Sequence, residues 1–201
     1  MSDRAPRLYF DFVDPLSYLT ELALVSVEAS LGARVARIGY ELRPPPTPLT
    51  DTSDPFWSAR WEDARRAGSS VPWSPPALVP WTRKAHELQA FAEERGRGSV
   101  VRRRIFEAYL ERGRDIGRID ELVEVATAAG LDPTEAKATL DVDRYQERVL
   151  ERRREADRLG LAELPALLVG GELVQGFHNL TDLSTLLGGP TRSGRSNPSD
   201  P

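Results

Sequence analysis

The period of apolar residues changes along this chain, and the changes mark its elements. Residues 7–13 alternate: Leu8, Phe10 and Phe12 fall on one side, Tyr9, Asp11 and Val13 on the other. Both sides are largely apolar, as in a strand covered on two faces. Asp11 is the exception and is either paired or close to a strand end. From Pro15 to Leu31 the period is helical, with Leu16, Leu19, Leu22, Ala23 and Val27 recurring, and Gly32 stops the helix. Residues 35–42 alternate again, with Ala36, Ile38, Tyr40 and Leu42 sharing a face. Strand, helix and strand in this order predict a parallel pair joined by a right-handed crossover.

Arg43-Pro44-Pro45-Pro46-Thr47-Pro48 ends the second strand, since neither strand nor helix interiors accept so many prolines. A long run of helical period follows, predicting helices over 54–66, 82–95, 99–112, 120–129, 133–140 and 143–159. A Ser- and Pro-rich loop from Gly68 to Pro80 interrupts it. Strand character returns at 164–169, turns at Gly170-Gly171 and pairs with 172–175. Gly176 breaks that strand, and Asn179 caps a last helix reaching Leu187. The order is βαβ, a helical block, then ββα. That is an α/β, thioredoxin-like fold whose halves, 7–48 and 161–187, flank an all-helical insertion over 49–160. Residues 188–201 are Gly, Pro, Ser, Arg and Asn without period and read as a disordered tail.

Composition removes several classes of function. The 201 residues carry a net charge of −4, so no basic excess points to nucleic acid. No apolar run approaches the roughly 20 residues that span a membrane, and Met1-Ser2-Asp3-Arg4-Ala5-Pro6 lacks the apolar core of a signal peptide. A cytoplasmic location is the default expectation. The sequence has no cysteine, which excludes thiolate nucleophiles, Cys-ligated zinc and dithiol chemistry by its own side chains. His86 and His178 are the two histidines, far apart in sequence, so no metal site is expected. The runs Arg102-Arg103-Arg104 and Arg152-Arg153-Arg154 lie in helices with nearby Glu and read as solvated faces.

Chemistry concentrates where the first strand meets the first helix. Asp14-Pro15 fits a cap: the carboxylate accepts from unpaired N–H groups, and proline suits the first helical position. The same place, a helix N-terminus at a strand end, is where sites are built in open α/β folds. Cap and reaction centre are both open readings of Asp14.

The stretch Phe10-Asp11-Phe12-Val13-Asp14-Pro15-Leu16-Ser17-Tyr18-Leu19, the helix start Thr82-Arg83-Lys84-Ala85-His86, residues 106–115 and Leu164-Pro165-Ala166 with its hairpin together resemble the DsbA-like branch of the thioredoxin superfamily. Within it they are most similar to 2-hydroxychromene-2-carboxylate isomerases, kappa-class glutathione transferases and cytoplasmic DsbA-type oxidoreductases. The resemblance implies that Asp14 and Ser17 stand where thiol-disulfide members carry Cys-Pro-x-Cys, so disulfide exchange is not expected here. Isomerase and transferase members commonly have Ser at the first of these positions, which is thought to bind the thiolate of glutathione. Asp14 departs from that pattern too, because a carboxylate repels a thiolate. It would serve better as a general base, though the helix N-terminus makes it a weak one.

The resemblance further implies a cis Leu164–Pro165 bond facing Asp14, where relatives dock a peptide or glutathione. Residue patterns alone are also compatible with a trans bond. His178 and Asn179 fall where related transferases bind the γ-glutamyl end of glutathione; the plain alternative is that Asn179 caps and His178 is exposed. Trp57, Trp61, Trp73 and Trp81 line either an apolar pocket or the core. Two functions follow, beside a third reading in which the chain is a cysteine-free paralogue tied to oxidoreductases by ancestry alone. One is a small-molecule isomerase or transferase that uses glutathione or another low-molecular-weight thiol. The other is a ligand- or peptide-binding module on the same scaffold without chemistry. A homodimer is an arrangement known in the family.

Overall fold

The computed structural model describes residues 5–67 and 70–188. β1 (Arg7–Phe10), α1 (Pro15–Leu31) and β2 (Ala36–Gly39) form the expected βαβ unit, with Arg7 in register with Ala36 and Phe10 with Gly39. Next come β3 (Thr50–Asp51), α2 (Pro55–Arg66), β4 (Leu78–Val79) and α3 (Arg83–Glu94). α4 (Gly98–Phe106) runs on through a π-helical stretch, Glu107–Glu111. α5 (Ile119–Ala128), α6 (Pro133–Asp141) and α7 (Gln146–Arg158) complete the helical block. The chain returns with β5 (Ala166–Val169), β6 (Glu172–Gln175) and α8 (Leu180–Gly188). The four-stranded sheet has the order β2-β1-β5-β6, with β1–β2 parallel and the other pairs antiparallel.

The block between the two halves is helical except for a short ladder of β3 with β4, which pairs Thr50 with Val79 and Asp51 with Leu78. Two residues per strand carry too little alternation to be read in advance. The tail beyond Gly188, and Gly68 of the predicted loop, lie outside the described residues; Gly188 itself closes α8. Gly170 and Gly171 both have positive φ, 60° and 92°, which is why two glycines make the β5–β6 turn.

The alternation of the first strand is realised on two faces. Leu8, Phe10 and Phe12 join the main core, where the Phe106 ring lies 5.6 Å from Phe10 and 5.0 Å from Phe12. Tyr9 packs oppositely, against Tyr40, Ala156, Leu161, Leu164 and Ala166. The helical block therefore sits directly on the sheet through α4, while α7 covers the other face. Trp57 and Trp61 are buried core residues. Trp81 is partly exposed, and its Nε1 donates to the Thr47 carbonyl at 2.9 Å.

The arginine runs are only partly solvated faces. Arg103 is exposed and pairs with Glu107, and Arg154 pairs with Glu147 and Glu151. Arg102 is buried, donating to Glu21 at 2.8 Å, and Glu21 also accepts from Arg37 at 2.8 Å. An arginine at helical spacing with Val101 and Ile105 turns inward when a buried carboxylate awaits it.

Candidate functional site

Asp14 caps α1. Its backbone is extended (φ −94°, ψ 112°), and its Oδ2 accepts from the Ser17 amide at 2.9 Å and the Ser17 hydroxyl at 2.5 Å. Pro15 occupies the first helical turn. Asp14 and Ser17 have no exposed surface (0% each). The other oxygen, Oδ1, accepts from Arg60 Nε at 2.7 Å. Arg60 reaches in from α2, and its Nη2 donates to the Leu164 carbonyl. Its Nη1 lies 3.8 Å from Glu163 Oε1 at the surface. The Leu164–Pro165 bond is cis, as the resemblance implied.

One guanidinium thus fastens the N-terminus of α1 to the loop before β5. Burial opposes the charge on Arg60, but the attraction of Asp14, followed by that of Glu163, outweighs it and holds the pKa above the ordinary arginine value. Both Asp14 oxygens are engaged. A general base must reach the proton it abstracts, and among the described residues this carboxylate bonds only to Arg60 and Ser17.

Of the residues singled out from sequence, Asp14, Ser17, Leu164 and Pro165 share this centre through Arg60. His178 and Asn179 take other partners. The His178 amide donates to Thr20 Oγ1 at 3.4 Å, and its ring Nε2 lies 3.1 Å from the Val174 carbonyl. His178 is buried, not exposed. Asn179 Oδ1 accepts from the amides of Thr181 and Asp182 at 2.8 and 3.0 Å, while Asp182 Oδ2 accepts from the Asn179 amide. This reciprocal arrangement is a capping box. It uses Asn179 in starting α8.

Behind the clamp lies a second buried polar group. Asp11 Oδ1 accepts from the Phe12 amide at 2.7 Å and faces His86 Nε2 at 3.1 Å; Oδ2 accepts from the Leu42 amide at 2.7 Å. The backbone links the two groups, since the Asp14 amide donates to the Asp11 carbonyl. His86 sits close over β2: a Cβ added to Gly39 would lie 2.2 Å from His86 Nδ1, so this strand position admits glycine alone.

Nearby Glu41 is buried and accepts from Arg83 at 2.9 and 3.0 Å. Burial raises its pKa above the ordinary 4.5; Arg83 opposes the shift and Asp11 adds to it. The folded state therefore holds this proton more tightly than the unfolded state. The stability Glu41 contributes is present below about pH 4.5 and is lost as pH rises through the folded-state value. In Glu41→Gln this dependence should vanish. The stability of the variant relative to the native protein should grow from about pH 4 to about pH 7, read by urea denaturation at each pH.

Arg60 was not found from sequence, although a signal was present. It lies three residues after Trp57 and one before Trp61, on the side of α2 that turns inward. A cation inside an aromatic stripe calls for a buried anion, and Asp14 is that anion. His86, next to Ala85 on the inner face of α3, carries a similar signal of inward burial, though not of its partner Asp11. Among the described residues no group of three or more His, Asp or Glu could hold a metal ion, and no helix is long and apolar enough to cross a membrane.

Comparison with known proteins agrees with this architecture. Residues 7–188 match the profile of the DSBA-like thioredoxin domain. The uncharacterized protein YwbO of Bacillus subtilis (strain 168) is 26% identical over 177 residues, covering 85% of this chain and 88% of that one. Among solved structures, the probable DsbA oxidoreductase SCO1869 from Streptomyces coelicolor superposes with a TM-score of 0.75 at 21% identity, over 93% of this chain and 91% of that one. A 2-hydroxychromene-2-carboxylate isomerase gives 0.72 at 18% identity, over 86% and 89%. The cytosolic disulfide reductase DsbM from Pseudomonas aeruginosa with GSH gives 0.68 at 18%, over 93% and 94%. At these identities the structures share the fold.

Proposed function

The chain belongs to the family of DSBA-like thioredoxin domains, and on that premise we propose that it is a member without thiol–disulfide exchange, retained as a ligand- or peptide-binding module. The single observation behind this reading is the Arg60 clamp. It occupies the Asp14 carboxylate and the Leu164 carbonyl together, in a centre where Asp14 and Ser17 have no exposed surface. A buried ion pair with its hydrogen bonds made resists separation, because either charge left alone is costly. The cysteine-free sequence supplies no thiolate of its own.

A second reading is a small-thiol-dependent isomerase or transferase acting on small aromatic acids, as the isomerase neighbour's name suggests for that protein. What favours it is the charge of Arg60, which offsets the repulsion Asp14 would exert on a bound thiolate. Activity separates the two. The purified chain should show no insulin reduction with dithiothreitol and no glutathione-dependent isomerisation or conjugation above the uncatalysed rate. Saturable, glutathione-dependent turnover that Arg60→Met alters would replace the first reading with the second.

A further inference from the structure

α1 and α4 enclose an open cleft of about 690 Å³, a volume typical of small-molecule sites. None of Asp14, Ser17, Arg60, Leu164 or Pro165 lines it. Leu22 and Val25 from α1 and Val100 from α4 make its apolar surface, with Tyr18 also in its lining. Val25 and Val100 remain 53% and 38% exposed.

The charges around the cleft do not balance. Glu21 and Glu107 face three arginines, 102 to 104, leaving one positive charge. Both carboxylates are engaged, Glu21 by Arg37 and Arg102 and Glu107 by Arg103 and Arg112. Arg104 is left over. Its Nε is buried and has no hydrogen-bond partner, and no ion pair joins it, among the described residues. Arg104 as a whole is half-buried in the cleft wall, and a guanidinium without an ion-pair partner finds its strongest acceptor in an anionic oxygen.

We propose that this cleft binds a small amphipathic organic acid, its apolar chain or ring against Leu22, Val25 and Val100 and its anionic group on Arg104. The proposal stands independently of the Arg60 clamp, since the two sites share no residue. Cleft and charge together select the class. An uncharged apolar ligand leaves Arg104 without an acceptor, and a polyanion meets Glu21 and Glu107.

The test is calorimetric titration of the full chain with sodium octanoate and, separately, 1-octanol. Octanoate should bind the native protein saturably. Arg104→Met should weaken it about tenfold or more while changing 1-octanol binding by less than about twofold. Arg104→Lys keeps charge and stem and should retain most of the affinity, which guards against a misfolded methionine variant. Val25→Asp, at an exposed position, should abolish octanoate binding without lowering the melting midpoint. Equal octanoate affinity in native and Arg104→Met protein, or no saturable binding to the native protein, would overturn the proposal. So would sedimentation showing a native dimer that Val25→Asp disperses, since the cleft would then be an interface between copies.

Discussion

Arg60→Met is expected to destabilise the fold by about 3–5 kcal/mol, the usual cost of stripping one partner from a buried ion pair. The substitution leaves the Asp14 carboxylate buried at 0% exposure with Ser17 as its remaining partner, and it frees the Leu164 carbonyl. The methionine fills much of the same volume, so the loss reports charge and hydrogen bonding more than a cavity. Adding Asp14→Asn removes the stranded charge yet keeps a good cap, and should recover at least half of the loss. Urea denaturation of the single and double variants reads both numbers. A loss below about 1 kcal/mol would place the pair with weak surface bridges and deny the clamp its role.

Asp11→Ala is expected to cost about 3–5 kcal/mol. Three groups lose their acceptor or neighbour at once: the amides of Phe12 and Leu42 and the ring of His86. Each buried donor left unsatisfied costs about 1–3 kcal/mol. Asp11→Asn keeps one carbonyl oxygen and should lose less than half as much. Thermal unfolding should show both changes. If Asp11→Ala melts within a few degrees of the native protein, the Asp11–His86 group is not a structural anchor.

The fold was legible because its elements are long and clearly punctuated. Gly32 and Gly160 end helices, Gly170-Gly171 makes the hairpin, and the alternation of residues 7–10 matches its two buried faces. The β3–β4 ladder was not legible, because two residues per strand show no period. The site was half legible. Asp14 and Ser17 stand together because local sequence fixes a cap and a helix start, whereas Pro165 comes beside them through the pairing of β1 with β5, its cis bond implied by the resemblance and not by the residues alone. Arg60 joins them across 46 residues, and no local pattern encodes such a long-range pairing. The reading of His178 as exposed failed for a related reason. Its surroundings are set by Thr20 on α1, distant in sequence, whereas Asn179 bonds within its own turn and its cap was read correctly.

Arg60 also explains why Asp14 need not be a catalyst to stand at this position. A carboxylate there caps α1 and, through one guanidinium, ties the helix to the Leu164 carbonyl. A side chain of the protein itself, Arg60, spans the space between the Asp14 carboxylate and the Leu164 carbonyl.

Calorimetric titration with reduced glutathione of the native protein and of the double variant Asp14→Ser/Arg60→Met decides whether the clamp closes this centre. The native protein should show no saturable binding at concentrations up to about 10 mM, and the variant should bind saturably once clamp and repelling carboxylate are gone. Saturable binding to the native protein at or below about 1 mM, or the same behaviour in both proteins, would mean that the Arg60 clamp does not close the centre to thiols.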